Sequence, residues 1–137
     1  VRIGGIRLIL PQDSSKPIYV QIAEWLETEI LSETFSNDEK VYSQYQLAEI
    51  FTINPATAAK GLNILVEEGI LYKKRGLGMF VATNAKERIL QKRTSQTLKR
   101  LVEELVLEAN RLNVSEVDLI EMIQAANKRK GDMNDNH

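Results

Sequence analysis

The chain has 137 residues, no cysteine and one histidine, His137, and sets 18 Lys and Arg against 19 Asp and Glu for a formal net charge of -1. That length fits one compact domain plus an appendage, with enough apolar sequence for a core. The missing cysteines rule out disulfides, thiolate metal sites and a Cys nucleophile, while a lone terminal histidine argues against a zinc centre, a Ser-His-Asp triad or any other enzyme grouping, so no metal or cofactor is expected.

No apolar run approaches the roughly 20 residues of a membrane span. Val1 to Leu10 is mildly apolar, but Arg2 and Arg7 interrupt it and no small-residue cleavage site follows, which argues against a signal peptide. The expectation is a soluble cytoplasmic protein with no membrane partner, whose true start, given Val1, lies elsewhere. Arg7 to Leu10 is a candidate short strand, and Gln12 to Lys16 is a polar linker. Pro17 opens a helix that runs to about Glu33, with Ile22, Leu26 and Ile30 recurring every four residues toward a core. Trp25 lies beside that stripe and either covers the core edge or joins a dimer or ligand surface. Thr34 to Tyr42 reads as a loop with a turn at Asn37-Asp38 and Val41 directed inward.

Ser43 to Val81 organises the chain. Ser43 can cap a helix and Gln46 can complete a capping box. Asn54 followed by Pro55 starts a second helix, because Asn accepts orphan amide bonds and Pro suits the first helical position. Leu47, Ile50 and Phe51, then Ala58, Leu62, Leu65 and Val66, give each helix one apolar face. Gly69 stops the second helix. Ile70 to Tyr72 and Met79 to Val81 suit two strands, with Lys73 to Gly78 between them and Gly76 and Gly78 shaping the turn. A helix-turn-helix followed by a basic hairpin is a DNA-binding design whose second helix enters the major groove. Thr57 and Lys60, three residues apart, share a face of that helix, although Thr57 also fits a first-turn residue bonded to the backbone. Ala56 and Thr57 are small enough for close approach, and their methyls can touch a thymine methyl. Lys73, Lys74 and Arg75 would lie along a phosphate strand or a minor groove; edge protection is the alternative role of such lysines.

Pro17-Ile18-Tyr19-Val20-Gln21-Ile22, the helix start from Ser43 to Ala48, Asn54-Pro55-Ala56-Thr57, Leu65 to Leu71 and Arg75 to Val81 follow one another in an order that resembles the winged helix-turn-helix domain of the GntR family of bacterial transcription regulators. The resemblance covers about half the chain, from Lys16 to Val81, and the short remainder looks like the YtrA-like subgroup, whose C-terminal part is two helices. It implies DNA contacts from Ser43, at the start of the first helix of the motif, and from the Asn54-initiated helix and the Arg75-Gly76-Leu77-Gly78 wing. Tyr45 stands where the family usually has an Arg that holds the DNA backbone, so a charged contact is replaced by a hydroxyl. Lys60 takes the place of an Arg common in the subgroup and could hold a phosphate or a guanine edge. Ala59 stands where other branches carry a base-reading Arg, so their operator preference does not transfer. YtrA-like members often control ABC transporter operons.

Residues 1–83 contain eight Lys and Arg against ten Asp and Glu, so net charge alone does not signal nucleic acid. Distribution does: Glu24, Glu27, Glu29 and Glu33 sit on the first helix, whereas Lys60, Lys73, Lys74 and Arg75 sit on the recognition helix and wing. After Ala82 the pattern becomes long helix, with an apolar stripe of Ile89, Leu98, Leu101, Val102, Leu105, Val106, Ala109 and Leu112. Leu112 to Val114 is a bend, and Ser115 with Asp118 starts a further helix bearing Val117, Ile120, Ile123 and Ala126. Two antiparallel helices without a third partner cannot bury both stripes. Either they dock on the winged domain or, more economically, they interlock with a second copy. Lys92, Arg93, Lys99 and Arg100 read as a solvated face, with contact to flanking phosphates the alternative for those near the winged domain, and the polar end from Lys128 is expected to fray.

The expected architecture is mainly α with a small β-hairpin: a linker over 1–16, a winged helix-turn-helix domain over 17–83, a helical dimerisation and effector region over 84–128, and a disordered tail over 129–137. The expected function is a homodimeric, sequence-specific repressor of a bacterial operon, bound to a pseudo-palindromic double-stranded DNA operator. A protein-interaction module without DNA binding is the alternative, to which the acidic balance and Tyr45 give standing. With only about 50 residues beyond the wing, a large enclosed ligand pocket is not expected; a small-molecule effector would sit between helices or at the dimer interface.

Overall fold

The structure, a computed structural model, describes residues 15–135. The candidate strand from Arg7 to Leu10 lies outside the described residues. The described chain forms two units, the first ending at Lys92 and the second beginning at Arg93.

In the first unit, α1 (Ile18–Leu31) follows Pro17 and buries Ile22, Ala23, Leu26 and Ile30 along one stripe. Helix α2 (Gln44–Phe51) starts on the capping box read from the sequence: Gln46 N donates to Ser43 Oγ at 3.1 Å and Ser43 N donates to Gln46 Oε1 at 2.8 Å. It ends at Thr52, whose φ of 55° is left-handed, a conformation a β-branched residue rarely adopts. Helix α3 (Pro55–Glu67) starts on Asn54, whose Oδ1 accepts from Ala56 N at 2.8 Å, and stops before Gly69 at φ 74°. The core joins the α1 stripe to Leu47 and Phe51 of α2, Leu62 and Leu65 of α3, and Phe35 and Val41 of the intervening loop. Trp25 covers its edge, with ring centroids 5.0 Å from Phe51 and 6.1 Å from Tyr42.

The hairpin pairs β1 (Leu71–Lys74) antiparallel to β2 (Gly78–Val81), from Leu71↔Val81 to Lys74↔Gly78. Lys73, Lys74 and Gly78 are therefore strand residues rather than turn residues, and the turn is confined to Arg75–Leu77, closed by Leu77 N on Lys74 O at 2.9 Å. A two-stranded hairpin alone is marginal. Here the segment read as a plain loop supports it: Val41 N donates to Met79 O at 2.9 Å and Val81 N to Glu39 O at 3.0 Å.

Helix α4 (Ala85–Lys92) corrects one expectation. Ile89, assigned in the sequence to the C-terminal stripe, is fully buried with Ala85 in the core of the first unit. Lys92 is not part of a solvated face either: it reaches Glu27 Oε2 at 2.6 Å and Glu68 Oε2 at 2.8 Å.

The second unit opens on a π-helical stretch (Arg93–Leu98), continues as α5 (Lys99–Arg111), bends at Asn113 with φ 58°, and returns as α6 (Glu116–Asp135). The bend matches the reading, with Val114 N on Ala109 O at 2.8 Å and Asp118 N on Ser115 Oγ at 3.2 Å. The expected disordered tail is corrected for 129–135, which are helical; Lys128, Arg129 and Lys130 are good helix formers and no proline interrupts them. Leu98, Leu101, Val102, Leu105, Val106, Leu112, Val117, Ile120 and Ile123 are all exposed in the single chain. Among the described residues no helix is long and apolar enough to cross a membrane.

Candidate nucleic-acid interface

The first turn of α3 places Ala56 exposed, Thr57 half-buried and Lys60 exposed. Asn54 has a structural duty, because its side-chain oxygen holds the Ala56 amide. Ser43 is similarly engaged: its amide donates to Gln46 Oε1 and its hydroxyl oxygen accepts from Gln46 N in the capping box. Tyr45, 69% exposed at the start of α2, leaves its hydroxyl accessible for a phosphate contact.

Lys60 is held by a neighbour that the sequence reading had not paired with it. Its Nζ lies 4.0 Å from the centroid of the Tyr19 ring on α1. Gly61 makes that approach feasible, because a Cβ there would stand 2.8 Å from Tyr19 O and 3.3 Å from Ile22 Cγ2.

The wing separates its two lysines. Side chains alternate across a strand, so the observed register puts Tyr72 and Lys74 on the face of Phe80, and Lys73 on the face of Met79. The Lys74 ammonium lies 4.7 Å from the Phe80 centroid and 5.8 Å from that of Tyr72, and the two rings stack at 5.8 Å. The Tyr72 hydroxyl donates to Asp38 Oδ1 at 2.7 Å, and that carboxylate, with some burial, pushes the phenol pKa above its ordinary value. Asn37-Asp38 is thus the anchor of the wing as well as a turn. Arg75, Gly76 and Leu77 form the exposed tip, where Gly76 takes φ 77° with nothing within 4 Å of a would-be Cβ.

Lys40 is a further wing cation that the sequence reading missed. It faces Phe80 across an isolated bridge, and its Cε would lie 2.8 Å from a Cβ at Gly78, which has φ 120°. A glycine within a strand signals close approach of another group, but not which one. Among the described residues no cluster of His, Cys, Asp and Glu is arranged to hold a metal ion. The site offers cations on aromatic supports beside a capped helix, which is chemistry for a polyanion rather than for bond making.

Residues 18–81 match the model of the gntR family of bacterial regulatory proteins. The chain is 40% identical over 86 residues to the HTH-type transcriptional repressor NagR of Bacillus subtilis, covering 63% of this chain but only 35% of that protein. It is 31% identical over 124 residues to the HTH-type transcriptional repressor YtrA of Bacillus subtilis, covering 89% of this chain and 95% of the relative. A GntR family transcriptional regulator from Listeria monocytogenes superposes with a TM-score of 0.68 at 32% identity, over 82% of this chain and 97% of that one. The structure of AraR(DBD) in complex with operator ORX1 has a TM-score of 0.51 at 28% identity, over 56% of this chain and 98% of that one.

Proposed function

This chain belongs to the GntR family of bacterial regulatory proteins and is a DNA-binding transcription regulator; from that premise we propose that it acts as a homodimeric repressor on a pseudo-palindromic operator. The observation that carries the proposal is the single unit that holds an Asn54-capped α3, presenting Thr57 and Lys60, together with a cation-bearing wing. A related repressor of similar length, YtrA of Bacillus subtilis, supports the repressor assignment. Occupying promoter DNA excludes polymerase with no further chemistry. Recognition helices related by a twofold axis would enter major grooves roughly 34–36 Å apart. Control of an ABC transporter operon and an effector held between helices or at the dimer interface complete the proposed function.

The direct test is a gel shift with fragments of the encoding locus. A discrete complex that survives competitor DNA is the expected result, and its absence overturns the reading. On the selected duplex, joint Lys73→Ala and Lys74→Ala substitution should lower affinity on every sequence and make the slope of log K against log salt shallower by roughly one to two units. The single substitutions should be unequal, since the two side chains lie on opposite faces of the hairpin.

The second copy follows from the exposed stripe of α5 and α6, which water would otherwise cover at a cost of about 25 cal/mol per Å². Leu105→Glu should convert a dimer into a species of the 15.6 kDa chain mass in analytical ultracentrifugation and weaken operator binding with it. An unchanged dimer would place the interface elsewhere.

A further inference from the structure

Resting on the DNA-binding reading, we propose that Tyr19 is a positioning residue of the interface: its ring holds the Lys60 ammonium in the conformation that meets DNA. Lys60 is exposed, and among the described residues no side-chain carboxylate pairs with it; its ammonium lies 4.0 Å from the Tyr19 ring centroid. An unrestrained lysine loses considerable rotamer freedom when it is fixed on a partner. A face contact with an aromatic ring restricts the stem beforehand and, unlike a carboxylate, does not neutralise the charge, so the ammonium can still attract an anion.

The fold builds this contact deliberately through the next residue. Gly61 is buried at the crossing of α1 and α3, where any side chain would meet Tyr19 O at 2.8 Å. The two helices therefore approach closely beside Lys60, and Tyr19, on the second residue of α1, comes within reach. Lys74 over Phe80 at 4.7 Å repeats the device in the wing.

The test is a double-mutant cycle on a labelled duplex that the wild-type protein selects from a random-sequence pool, read by fluorescence anisotropy alongside the thermal midpoint of each variant. Tyr19→Leu should weaken binding about two- to five-fold, the range of a cation–π contact at an exposed site. The same change in a Lys60→Ala background should cost nothing further, and Tyr19→Phe, which keeps the ring, should restore most of the loss. Should Tyr19→Leu fail to fold, Tyr19→Gln carries the same comparison. Additive losses in the two backgrounds, unchanged binding by Tyr19→Leu, or tighter binding by it would each overturn the proposal, the last by meaning that the ring keeps the lysine off DNA. If the wild type selects no duplex, the DNA-binding reading fails first; if it selects one and Lys60→Ala binds it normally, that reading stands and the role of Tyr19 falls.

Discussion

Gly61→Ala should lower stability by about 1–3 kcal/mol, the usual cost of overfilling a tight contact, although the same change in the middle of an exposed helix normally stabilises by about 1 kcal/mol. The sign reverses because the new methyl would sit 2.8 Å from the backbone oxygen of Tyr19 and 3.3–3.4 Å from two carbons of Ile22. A backbone oxygen within a helix cannot rotate away, so α1 and α3 have to separate. Leu62 and Leu65 of α3 would then part from Ile22 and Leu26 of α1, residues that form the centre of the core. Operator affinity should fall as well, since the separation withdraws the Tyr19 ring from Lys60. Gly131 of α6 provides the control: nothing lies within 4 Å of its would-be Cβ, so Gly131→Ala should stabilise. Urea denaturation midpoints of the two variants, moving in opposite directions, are the expected outcome; parallel shifts would show that helix propensity governs both.

Lys92→Met should cost about 3 kcal/mol, because it removes the Lys92 ammonium from Glu27, a carboxylate only 1% exposed. The pair is an internal brace of the first unit. Glu27 belongs to α1 and Glu68 caps the C-terminal end of α3, so one ammonium at the end of α4 ties both helices. Replacing Glu27 by Leu together with Lys92→Met should recover much of the loss, since a well-packed apolar pair avoids the desolvation cost altogether. Burial by itself would push the Lys92 pKa down, but hydrogen bonds to Glu27 and Glu68 outweigh it and hold the value above that of an ordinary lysine. A folded-state pKa raised in this way contributes stability below the unfolded value, about 10.4, and loses it as pH climbs through the folded value. The gap between wild type and Lys92→Met should therefore be constant through neutral pH and shrink in strong alkali. A constant gap throughout would assign the loss to packing of the lysine stem.

Much of the interface was legible because its signals are local. The capping box of Ser43 and Gln46 depends on a spacing of three residues and on hydrogen bonds within one turn, and Asn54-Pro55 combines a side-chain acceptor with a residue already set to helical φ. Thr52 shows the limit of such signals. It takes a left-handed φ between α2 and α3 where Gly or Asn would have announced the turn, and a β-branched residue announces nothing. Ile89 was misplaced for a related reason. Helical periodicity shows that a residue faces something apolar, but it does not distinguish the core of one unit from the surface of the next. The burial of Ala85 and Ile89 decided that the first unit extends through α4.

Pairings between distant residues were invisible for a physical reason. Lys60 with Tyr19, Lys40 against Gly78, and Lys92 between Glu27 and Glu68 join residues from separate elements, and no spacing in the chain encodes which helices will cross or where. Sequence by itself determined the local parts: where α2 and α3 begin, where α3 stops, that a basic hairpin follows, and that the remaining helices carry more apolar surface than two of them can hide. Only the tertiary structure decided which charges are braced, which are neutralised and which stand ready for a polyanion, because a side chain's freedom and electrostatic setting depend on neighbours brought together by packing rather than by order along the chain.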